Sequence, residues 1–193
     1  MGAILSGCGY LAVIMPEISW QVPETVSFPD AIALSQTLID RLEQAELSDA
    51  EAEAAVAALV RSENGARGFF VTYLSDDRPL ADYPSEAILT ALRSAPDIVA
   101  ELLVKNLAMS SAMAVYHRRN QDETAAQGSD RVQQRSLHLI RRLELPQLRE
   151  QAQALHESTA TGQGSYSAFL NRWNYDAEQR QVIQQSIAAA MHP

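Results

Sequence analysis

The segment Pro96–Arg119, PDIVAELLVKNLAMSSAMAVYHRR, constrains the chain more than any other. Its only proline stands at the start, where it suits a first helical turn. On a wheel at 100° per residue, Ile98, Leu102, Met109, Met113 and Tyr116 form one side, while Leu103, Val104, Leu107 and Val115 lie around the remainder. A helix that is apolar nearly all round must be covered on every side. A bilayer could do that, but it needs about 20 predominantly apolar residues. Here Glu101, Lys105, Asn106, Ser110 and Ser111 interrupt residues 98–116. The segment therefore reads as the central helix of a bundle, with no transmembrane span.

The rest of the chain supplies the cover. From Pro29 the pattern is helical, with Ile32, Leu38, Ile39 and Leu42 on one face. Ser48-x-x-Glu51 is a capping box, in which each side chain satisfies an orphan amide at a helix start. The alanine-rich run to Val60 follows, and Gly65 reads as its stop. Residues 69–74, FFVTYL, have strand-like composition. A strand there needs a partner, and the apolar candidates lie only in residues 10–22, so a short buried helix is the simpler reading. Pro84-Ser85-Glu86 opens a helix that ends before Pro96, and Asn120 to Gly128 reads as a loop or a frayed continuation. Ser129-Asp130 caps a helix to Leu145, Pro146 opens the next, and two more follow around Phe169 and from Asp176 to Met191. The expected fold is all-α, a single compact bundle of seven or eight helices over residues 29–193, preceded by an apolar tail and extended arm over residues 1–28.

Residues 1–15, MGAILSGCGYLAVIM, are almost wholly apolar, and the composition breaks at Pro16. No basic n-region precedes the apolar stretch, as a secretory signal needs. Leu5-Ser6-Gly7-Cys8 matches a lipobox with Cys8 as the acceptor, but too few residues precede it. Met1-Gly2 with Ser6 fits an N-myristoylation pattern, with no polybasic cluster after it. These features favour an apolar tail, or initiation at Met15, over a lipid on Cys8 or Gly2. The expected location is cytoplasmic, membrane-peripheral only if such a lipid is present.

Charge is unevenly spread. Residues 1–101 hold sixteen acids and five bases, and residues 102–193 hold eight acids and ten bases, within an overall net charge of −9. That balance argues against nucleic acid as a partner, because phosphate binding is driven by basic side chains displacing counterions. Cys8 is the only cysteine and Lys105 the only lysine. One cysteine excludes an intramolecular disulfide framework and any multi-cysteine zinc site. There is no phosphate-binding glycine loop, no Gly-x-Ser-x-Gly, no His-Glu-x-x-His and no EF-hand loop. No cofactor is implied.

Two constellations remain. Along the central helix, Asn106, Ser110 and His117 stand at i, i+4 and i+11, within about 40° of one another. Buried polar groups need hydrogen-bond partners. The seam is therefore either satisfied within the core or forms the polar floor of a ligand pocket, with His117 as a potential metal ligand. Next, Arg131, Arg135, His138 and Arg142 make a basic stripe at i, i+4, i+7 and i+11 on the following helix. It either pairs with the acidic first half or docks an acidic protein, since a planar guanidinium fork matches carboxylates.

Residues 96–119 and the following segment to Arg142 resemble an uncharacterised helical protein family associated with cyanobacteria. That resemblance implies a phototroph setting, cytoplasmic or thylakoid-associated, and brings no activity or functional residues with it. The function expected from the sequence is a protein–protein interaction module, an adaptor or assembly factor that docks an acidic partner through the stripe, rather than an enzyme. The alternative is a bundle that binds a small molecule or metal at the seam, with hydrolase-type chemistry there a third reading.

Overall fold

In a computed structural model, which describes residues 22–191, nine α-helices follow one another. They are α1 (Phe28–Glu43), α2 (Asp49–Val60), α3 (Glu63–Ser75), α4 (Glu86–Arg93), α5 (Pro96–Arg119), α6 (Glu123–Leu143), α7 (Pro146–Thr161), α8 (Ser167–Arg172) and α9 (Ala177–Met191). One 3₁₀ turn, Pro79–Ala81, lies between α3 and α4, and there is no strand among the described residues. The fold is all-α as expected, the six-residue α8 being the element beyond eight. Pro16, the alternative start at Met15 and the lipidation candidates Gly2 and Cys8 lie outside the described residues.

The central position of α5 follows from its sequence. Val99, Leu103, Val104, Leu107, Ala108 and Ala112 are fully buried, and α6, α7 and α9 pack against this helix. By length and composition it could cross a bilayer, and 56% of its most apolar stretch is buried inside the bundle. Polar bonds fasten the contact with α9. Ser111 donates to Ser186 Oγ at 2.8 Å and Gln179 donates to the Ala112 carbonyl at 3.1 Å. The side assigned to Met109, Met113 and Tyr116 is not core: Tyr116 is 51% exposed and both methionines are half-buried. Ala125, Gly128 and Ser129 of α6 stand opposite the two methionines and leave this strip of α5 incompletely covered.

The first four helices form their own layer. Helix α1 crosses α3 where a Cβ on Gly68 would stand 2.4 Å from the Ala31 Cβ, so only glycine permits that approach. Residues 69–74 are helical, within α3. Phe69 and Tyr73 stack at i, i+4 with ring centroids 5.0 Å apart, and the Tyr73 hydroxyl donates to the Leu80 carbonyl at 2.8 Å. The capping box of Ser48 and Glu51 forms as expected. Gly65 does not stop α2. It sits in the first turn of α3, which Ser62 caps, where a Cβ would lie 2.0 Å from the Leu59 carbonyl oxygen. The tight α2–α3 turn, rather than a left-handed conformation, is what selects glycine there.

Helix α6 begins six residues before the expected Ser129. Asp122 caps it by accepting from the Ala125 amide at 3.0 Å, and Ser129 turns its hydroxyl back to the Ala125 carbonyl. Upstream of α1, Val22 and Val26 are buried, and Arg61 donates to the Val22 carbonyl at 2.7 Å. That end of the expected arm is tied to α2.

Candidate functional site

The basic stripe of α6 faces its own chain. Arg135 is 2% exposed. Its Nε and Nη2 donate to the two carboxylate oxygens of Asp82 at 2.7 and 2.8 Å. The remaining donors reach the carbonyls of Leu74, Asp76 and Arg78 at 3.0, 2.6 and 2.9 Å. Arg135 thereby satisfies the carbonyl end of α3 and fixes the connection to α4. Arg131 pairs with Asp77 at 2.8 Å and Arg142 with Glu86 at 2.7 Å. His138 is half-buried, with Nε2 enclosed and unpartnered. Hydrogen bonds from Arg135 hold the Asp82 carboxyl below the ordinary carboxylate range, against the opposing effect of partial burial, and the charges of Arg135 and Arg131 add to it. Of the two sequence readings of the stripe, pairing with the acidic first half describes Arg131, Arg135 and Arg142. These cations meet the acidic first half of the same chain, and Arg135 has no donor left for a partner.

The seam of α5 is brought together with α6. Asn106, Met109, Ser110, Met113 and His117 line one side of an open groove of about 330 Å³. Opposite them stand Ala125, Gly128, Ser129, Arg131 and Val132 of α6, with Ser75 of α3 at the margin. The three seam residues differ in what they offer. Ser110 spends its hydroxyl on the carbonyls of Asn106 and Leu107, at 2.7 and 3.2 Å. The Asn106 amide and the His117 imidazole make no side-chain hydrogen bond among the described residues, and both are half-buried. They stand eleven residues apart on one face, so about 16 Å of groove lies between them at 1.5 Å per residue. Met109 and Met113 fill the interval with flexible, polarisable surface.

Gly128 is the site residue that sequence reasoning missed. It lies inside α6, where glycine costs about 1 kcal/mol relative to alanine, yet a Cβ there would meet nothing within 4 Å. No packing contact requires it. Its missing side chain keeps the wall of the groove low. The sequence reads Asn120 to Gly128 as a loop or a frayed continuation, where a glycine is ordinary.

No group of three histidine, cysteine, aspartate or glutamate residues is placed to hold a metal ion among the described residues, so His117 has no ligand set around it there. A family model described as Uncharacterised conserved protein UCP020893 matches residues 27–190. No curated protein and no solved structure matches the chain.

Proposed function

The chain belongs to that uncharacterised conserved family, and from this premise we propose that it is a small-molecule-binding helical module whose site is the α5–α6 groove. One observation carries the reading. Asn106 and His117, polar and without side-chain partners, end a groove whose middle is apolar. At about 330 Å³, it falls at the lower end of the range of ligand sites, roughly 300–1,000 Å³. The occupant that fits is a small, mainly apolar molecule, hydrogen-bonded at one or both ends. Asn106 can donate and accept, and His117 can do either according to tautomer.

The test uses N-phenyl-1-naphthylamine, an uncharged apolar dye, with the methionine methyl groups labelled for NMR. Binding should raise the dye fluorescence and shift the Met109 and Met113 methyl signals, leaving Met191 in place. Gly128→Leu, which adds a side chain where nothing stands within 4 Å, should abolish both responses without loss of folding. Unchanged dye binding by folded Gly128→Leu would remove the groove as the site.

A further inference from the structure

A second hollow, of about 500 Å³, lies where α5 meets α7 and α8. Its floor carries Lys105, the only lysine of the chain. The ammonium pairs with Glu101 and sits 6.0 Å from the ring centroids of both Tyr166 and Phe169. An ammonium has three donors, so pairing with one carboxylate leaves capacity toward the cavity.

The other polar groups here are donors as well. The Tyr166 hydroxyl donates to Gln151 Oε1 at 2.6 Å. That bond fixes the amide with its nitrogen free, and Gln151 Nε2 has no acceptor among the described residues. Arg172 and Ser165 also line the hollow, and their side chains make no hydrogen bond or ion pair among the described residues. Against the donors of Lys105, Gln151 and Arg172 stands one carboxylate, Glu101, already paired with Lys105. The wall is aromatic: Phe169 is half-buried, and Trp173 is 48% exposed. A tryptophan left half in water, in the same hollow as the Arg172 guanidinium, offers a stacking surface.

We propose that this hollow binds a small molecule with a flat aromatic ring and an anionic group, carboxylate or phosphate. The ring lies on Phe169 and Trp173, and the anion meets Arg172, Lys105 and the Gln151 amide. This site is separate from the α5–α6 groove, and neither reading depends on the other.

Trp173 reports on its own site. In a Trp20→Phe background it is the only indole, and its fluorescence can be followed while phenyl phosphate, benzoate, inorganic phosphate and benzyl alcohol are titrated separately. Saturable quenching is expected from at least one aromatic anion, and the tighter of the two identifies the preferred acid. Inorganic phosphate and benzyl alcohol should each bind at least about tenfold more weakly, since each lacks one half of the recognition. Arg172→Gln and Lys105→Gln should each weaken the aromatic anion about tenfold or more, the loss of a charge-assisted hydrogen bond. The exposed Arg172→Gln variant should keep the parental melting temperature. Benzyl alcohol binding as well as the anions would make the hollow a plain apolar crevice. Inorganic phosphate binding as well as the aromatic anions would reduce it to a loose cationic patch. Either result overturns the proposal, as does the absence of saturable quenching by both aromatic anions, or unchanged affinity in Arg172→Gln and Lys105→Gln.

Discussion

Arg135 holds Asp82 through two parallel hydrogen bonds of 2.7 and 2.8 Å across 53 residues of sequence. The guanidinium is buried while the carboxylate edge reaches solvent. Removing the buried guanidinium orphans three carbonyls, while water can rehydrate much of the Asp82 carboxylate, a loss of about 2–3 kcal/mol. Arg135→Met should therefore unfold at markedly lower urea concentration than the parent. Arg135→Lys should recover only part of the loss, because an ammonium cannot reproduce the fork or reach all three carbonyls. Equal stability of Arg135→Lys and the parent would contradict the geometry.

Acid should weaken the same contact. Hydrogen bonds from Arg135 to Asp82 and from Arg78 to Asp76 lower both carboxyl pKa values in the folded state. A group with a lowered native pKa adds stability that is complete above its unfolded pKa and is lost as pH falls through the native value. With an unfolded value near 3.9, melting temperature should be insensitive to these groups above about pH 5 and fall below about pH 4. Asp82→Asn should start lower and show a shallower acid decline, measured by thermal melts across that range.

Two glycines should respond to alanine with opposite signs. Gly128→Ala gains helix propensity and meets no atom within 4 Å, so it should stabilise the protein by about 0.5–1 kcal/mol. Gly68→Ala drives a methyl group to 2.4 Å from Ala31, and overpacking of this kind costs about 1–3 kcal/mol or more. Calorimetry of the two variants checks the pair directly.

His117→Ala separates a site histidine from a structural one. Its imidazole has no side-chain partner to abandon among the described residues, so stability should change by no more than about 0.5 kcal/mol, while affinity for an apolar dye in the groove falls. A loss of about 1–3 kcal/mol, the usual result when a buried partner is orphaned, would place His117 in a structural network instead.

The central helix was legible because its signals agree. Pro96 marks the start, and the apolar residues surround the axis. Ser48 and Glu51 were legible for the same reason, as a local reciprocal pair. Long-range relationships were not. The spacing of Arg131, Arg135 and Arg142 shows that they share a face, but not that Asp77, Asp82 and Glu86 lie against it. The excess of acid in the first half hinted at such pairing without identifying the partners. In the groove, spacing placed Asn106, Ser110 and His117 together, whereas the half-exposure of Met109 and Met113 depended on how closely α6 approaches. Gly65 and Gly68 look alike in sequence, and each is explained only by an element that packs against it.

The alignment of Arg131, Arg135 and Arg142 with the α3–α4 region also bears on how the molecule comes apart. Helices α1 to α4 pack mainly among themselves, as do α5 to α9, and these three arginines cross the boundary between the two sets. The outer two pairs are exposed and salt-screened, so Arg135 with its carbonyl contacts is the main polar fastener of that plane. Such a boundary defines cooperative units that open at different free energies. When Asp82 takes up a proton, the plane loosens while the helices on either side keep their own hydrogen bonds. The first excursion from the native state in acid should then be local to the α3–α4 connection, visible as amide exchange that rises there before it rises within α5.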